Sequence, residues 1–160
     1  HRVPGLRNDS PPERPGERQR EQVDRARERY LPTGDFRGFA DWLESNTFGG
    51  PDLVEQYQNA ARLKKMAKIE LMSSSREEPI RIDIPTRRGF RNAELWTDDD
   101  NQIWIRQDGG KERRINTIPL RLMLGLYRSI ARSSQQKRTV RFLMHEYRRA
   151  GMIGSGAAQD

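Results

Sequence analysis

The chain has 160 residues, enough for one hydrophobic core and little beyond it. Hydrophobic residues make up 33% and cysteine is absent, which excludes a disulfide framework, a thiolate metal site and a cysteine nucleophile. No run approaches the roughly 18 apolar residues of a membrane span, and 30 basic against 23 acidic side chains leave a net charge of +7.

Residues 1–16, HRVPGLRNDSPPERPG, are rich in proline, glycine and charge and are expected to form a flexible arm. Residues 17–30 are good helix formers with mixed charge, and Val23, Ala26 and Tyr30 are their only apolar stripe. Pro32-Thr33-Gly34 ends that helix. A second helix is predicted from Asp35 to Ser45, with Phe36, Phe39, Ala40, Trp42 and Leu43 on one face. Phe39 and Trp42, one turn apart, fit core packing better than base stacking. After Asn46-Thr47-Phe48-Gly49-Gly50, Pro51 sits well at the start of a third helix, over about 52–72. Leu53, Tyr57, Ala60, Ala61, Leu63, Met66, Ile69 and Leu71 are expected on its buried side.

The period then changes from 3.6 to 2. Ile80, Ile82 and Ile84 alternate with Arg81 and Asp83, followed by strands at 93–97, 102–107 and around 113–116. Turns at Asp98-Asp99-Asp100-Asn101 and Asp108-Gly109-Gly110 make these an antiparallel meander of three to four strands. A strongly apolar helix over about 118–132, capped by Asn116 or Thr117, belongs to the core. Ser133-Ser134-Gln135 breaks it, and a last helix covers about 136–150. The expected fold is α+β: N-terminal helices, a small meander, then two C-terminal helices. Its domain is placed at 17–153, with a tail at 154–160.

Charge is distributed unevenly along this plan. Residues 1–76 carry 14 basic and 12 acidic groups, residues 77–110 carry 5 and 8, and residues 111–160 carry 11 and 3. Arginine outnumbers lysine 25 to 5, and its planar guanidinium suits phosphate contacts. On the helix from Ile118, Arg121, Arg128 and Arg132 recur at i, i+7 and i+11. Gly125 falls between the first two and is expected to let a partner approach the backbone. Arg138, Arg141, His145, Arg148 and Arg149 crowd the polar side of the next helix, and Lys111, Arg113 and Arg114 lead into the pair. Glu146 is the one acid between residues 113 and 149. Like charges one turn apart repel, so this density points to an anionic partner. Trp96 and Trp104 alternate against Leu95, Ile103 and Ile105, which puts both indoles on the sheet face away from the aliphatic one. There they would serve either as stacking platforms or as packing under the N-terminal helices.

The catalytic search is negative. Asp98-Asp99-Asp100-Asn101 starts like a calcium loop, but Gln102 and Ile103 stand where a ligand and a glycine are needed. Gly109-Gly110-Lys111 lacks the remainder of a phosphate loop. His145 and Glu146, adjacent on a helix, point in different directions. The expectation is a non-enzymatic nucleic-acid-binding protein, RNA favoured over DNA, with no cofactor or metal. Its phosphate-contacting residues would be Lys111, Arg113, Arg114, Arg121, Arg128, Arg132, Arg138, Arg141, Arg148 and Arg149, with Trp96 and Trp104 beside them. A helix-turn-helix is a further reading of the two C-terminal helices, since Ser133-Ser134-Gln135 is about the right length for the turn and the second helix is basic, but no glycine occupies the turn and no spacing within it is diagnostic. The alternative is a viral matrix-like or adaptor protein whose basic face meets an anionic membrane or an acidic protein. Both suit a homo-oligomer, and the lack of cysteine suits an intracellular site, cytoplasmic or nuclear.

Overall fold

Three amphipathic segments open the chain, and each can bury its apolar stripe only against another element. In the computed structural model, which describes residues 16–46 and 50–154, they form α1 (Glu17–Tyr30), α2 (Phe36–Ser45) and α3 (Gly50–Met72). The strands β1 (Ile80–Thr86), β2 (Gly89–Thr97), β3 (Ile103–Gln107) and β4 (Glu112–Ile115) follow, then α4 (Leu120–Ile130) and α5 (Ser134–Arg149). The α+β order is the expected one. Apart from Gly16 and Gly154, the expected arm and tail lie outside the described residues.

The strands form one antiparallel sheet in the order β1-β2-β3-β4. Alternation places Ile82, Ala93, Leu95 and Ile105 on an inner face, where all four are buried. Strand β2 starts at Gly89, earlier than its apolar alternation announces, because Thr86 pairs with Gly89 and Ile84 with Arg91 in a hairpin. Strand β3 joins β2 only from Ala93 onward. Residues 84–91 therefore project beyond β3 as a two-stranded finger with Arg87 and Arg88 at its turn.

Helix α4 lies on the inner face along β1. The contact is close at Gly125, where an added Cβ would stand 2.6 Å from Ile82 Cγ2. The sequence suggested a gap for an external partner at this position, but the chain's own strand fills it. Gly125→Val should force α4 off β1 and cost about 1–3 kcal/mol through overpacking. Chemical denaturation would measure the loss, and unchanged stability would refute the tight contact.

Two helix starts differ from the sequence expectation. Pro119, not Asn116 or Thr117, occupies the α4 N-cap, and it makes no side-chain cap bond. Ser133 opens α5 rather than separating the helices. Its Oγ accepts the Gln136 amide at 3.1 Å, while Gln136 Oε1 accepts the Ser133 amide at 3.0 Å. This reciprocal capping box starts α5 at Ser134.

The helical layer is packed around aromatic rings. Tyr57 lies 4.3 Å from Phe39 and 5.0 Å from Phe142, centroid to centroid, and Phe36 touches Tyr57, Tyr127 and Tyr147. Phe39 is fully buried, and Trp42 packs on it at 6.2 Å, which places both in the core. Within this layer sits a charged group. Arg27 is 6% exposed and Glu146 5%. The Arg27 Nε donates to Glu146 Oε1 at 2.9 Å, and the Tyr57 hydroxyl donates to the same oxygen. Burial alone would lower the Arg27 pKa, but the hydrogen bond and charge of Glu146 outweigh it and the net direction is up. Tyr57 is raised as well, first by burial and then by the Glu146 charge.

Candidate nucleic-acid interface

Helix α5 buries Thr139, Val140, Leu143, Glu146 and Tyr147. At 3.6 residues per turn the opposite arc belongs to Lys137, Arg138, Arg141, His145, Arg148 and Arg149. All are exposed except Arg148, which is half-buried. None of the six forms an ion pair among the described residues. The acid that sequence placed among these cations, Glu146, is turned inward onto Arg27 and Tyr57. From Arg138 to Arg149 the ridge runs roughly 16 Å along the helix.

The other predicted contacts do not all join this ridge. Arg128 on α4 donates to the Asp83 carbonyl, and Ser129 Oγ donates to the Arg81 carbonyl at 2.7 Å. Both bonds satisfy the open edge of β1, which would otherwise present unpaired backbone. Arg132 is exposed in the link between α4 and α5. Arg113 and Arg114 are neighbours in sequence but alternate across the sheet. Arg113 stands opposite Ile105 on the inner face, and Arg114 opposite Trp104 on the outer one.

The two tryptophans do face away from the aliphatic side, directly opposite each other on β2 and β3. Trp96, however, is only 3% exposed, so its ring faces are closed to a stacked base. The Arg106 guanidinium lies 5.3 Å from the Trp96 ring centre and is held by Glu94 at 2.8 Å and Glu112 at 2.9 Å. Arg76, on the segment between α3 and β1, reaches Glu112 on β4 at 2.8 Å, so that segment spans the outer face. Trp104 is half-buried, and its indole N–H donates to Asp98 at 2.8 Å. This bond, followed by the Gln102 and Asp100 amides, holds the Asp98 carboxyl below its usual pKa. The expected turn at residues 98–101 is thus organised by Asp98. No trio of His, Asp or Glu gathers for a metal among the described residues.

A second basic region escapes any count along the chain. The finger brings Arg87, Arg88 and Arg91 to the end of the sheet where Lys111, Arg113 and Arg121 also lie. The three finger arginines belong to the segment with net negative charge in sequence. Phe90 stands beside them with 70% of its surface exposed. Opposite Pro85 on the outer face of the finger, it leaves an aromatic ring open to solvent. Phe90→Ala should leave the melting temperature nearly unchanged and weaken single-stranded RNA binding roughly 5- to 100-fold, the worth of one stacked base. Fluorescence anisotropy would check this, and unaltered affinity would remove Phe90 from the interface.

Protein-family models, curated proteins and solved structures give no match to this chain.

Proposed function

We propose that the protein binds nucleic acid, RNA in preference, through the outer arc of α5, and catalyses no reaction on it. The observation that carries this is the row of cations from Lys137 to Arg149 without an ion pair among the described residues, on a helix whose single acid is buried. A solvated helix face ordinarily mixes signs, because like charges at i, i+4 repel. A row of phosphates supplies the missing compensation. The arc offers few groups able to read base edges, so recognition is of charge and shape. Duplex RNA is mostly recognised in that way, through backbone and 2′-hydroxyl contacts rather than a readable major groove.

A salt titration of binding to RNA and DNA duplexes and to single strands tests the proposal. Contacts from Lys137, Arg138, Arg141, Arg148 and Arg149 predict a log–log slope of roughly −4.5 on a duplex. A flat dependence, or no retention of oligonucleotide at low salt, would refute it. Binding to anionic vesicles without oligonucleotide binding would assign the ridge to a matrix-like or adaptor role instead.

A further inference from the structure

A cleft of about 580 Å³ opens at the end of the sheet where α4 begins. That volume lies within the range of small-molecule sites. Its floor is apolar, supplied by Ile84, Ile105, Ile115 and Leu122. Arg91 from β2, Arg113 from β4 and Arg121 from α4 line it.

Register explains the gathering. Arg91 stands opposite Ile84 and Arg113 opposite Ile105, so both occupy inner-face positions. On a sheet whose inner face is its core, such positions would ordinarily continue the apolar surface. Instead the core stops and the charges border open space. Compensation there is incomplete. Asp108 meets Arg91 at 3.2 Å, while Arg113 has no ion pair among the described residues. Thr117 and Pro119 also line the cleft, which puts the N-terminus of α4 at its rim, and Pro119 at the N-cap makes no side-chain cap bond. The positive end of a helix favours an anion. An apolar floor with cations and donors gathered at one side fits a flat, apolar group carrying a phosphate.

We infer that this cleft binds a nucleotide, its phosphate held by Arg91, Arg113 and Arg121 and its base on the isoleucine floor. The site uses none of the α5 ridge and stands or falls separately from it. The shared chemistry is a phosphomonoester on a nucleoside, whether free or at the 5′ end of a strand.

Calorimetric titration of the full chain with adenosine 5′-monophosphate, adenosine and inorganic phosphate provides the test. Adenosine 5′-monophosphate should bind at least tenfold more tightly than either fragment. Arg91→Ala/Arg113→Ala should weaken it tenfold or more without shifting the melting temperature. Arg113→Gln, a single change at an exposed position, gives the same readout should the double variant not fold. A variant with Arg138, Arg141 and Arg149 changed to Ala should bind the nucleotide as the parent does, even where it loses oligonucleotides. A 5′-phosphorylated oligonucleotide that outcompetes its 5′-hydroxyl counterpart, with the advantage lost on Arg113→Gln, identifies a strand end as the source. Equal competition alongside tight mononucleotide binding identifies the free nucleotide. No binding of the monophosphate, or unchanged affinity in a folded Arg113 variant, overturns the inference.

Discussion

Replacing Glu146 with leucine should destabilise the protein by about 3–5 kcal/mol, because it strands a buried guanidinium. Arg27 is 6% exposed, and its Nε bond goes to Glu146. Asp24 remains on Nη1 at 2.6 Å, but it is a largely exposed partner and cannot replace the buried one. The Tyr57 hydroxyl, fully buried, loses its acceptor in the same step. Glu146→Gln keeps an acceptor and should cost less, whereas Arg27→Met leaves the carboxylate buried with Tyr57 alone and should cost a similar amount. The double variant Arg27→Met/Glu146→Leu should recover much of the loss, since a buried ion pair is worth little more than an apolar pair of similar volume. Denaturant unfolding of the four proteins measures the cycle. If the Glu146→Leu protein unfolds at the parent's denaturant midpoint, the triad does not hold α1 to α3 and α5. Oligonucleotide affinity, measured well below the melting transition, should not change, because Glu146 faces away from the ridge.

The triple variant Arg138→Ala/Arg141→Ala/Arg149→Ala should behave in the opposite way. Its three side chains are exposed and make no ion pair among the described residues, so stability should change by less than about 0.5 kcal/mol for each. Its duplex affinity should fall on the order of 10²- to 10³-fold near 0.1 M salt, and the salt slope should flatten by about 2.7, as expected for three lost phosphate contacts. Arg128→Ala supplies the contrast. Its guanidinium donates to the Asp83 carbonyl at the β1 edge, so it should cost about 1 kcal/mol of stability and change the slope far less. Should Arg128→Ala and the triple variant lower affinity alike, the separation between ridge and sheet edge is wrong.

Element types and order were legible because each segment carries a strong period. The isoleucines of β1, the apolar face of α4 and the aromatic stripe of α2 could each bury themselves in one way only. The inward direction of Tyr57, Leu143 and Tyr147 followed from the same spacing. The finger was not legible. Its residues 85–91 lack apolar alternation, since beyond β3 there is no core face for them to cover. The role of Gly125 was misplaced because a missing side chain looks the same in sequence whether a ligand or a neighbouring strand needs the space.

What the amino-acid order by itself determined is the α+β sequence of elements, most of the inward set of apolar residues, from which Ile69 of α3 departs by being exposed, and the cationic arc of α5. All three depend on periodicity within a single element, and a period is a local property. Only the tertiary structure decided how charge is shared between elements. It turned Glu146 onto Arg27, a residue 119 positions away. It closed Trp96 under Arg106 and carried Arg91 out of a net acidic segment into a basic cleft. Coulombic and hydrogen-bonding partners are set by distance in space, and sequence separation carries little information about that distance once strands pair and helices cross.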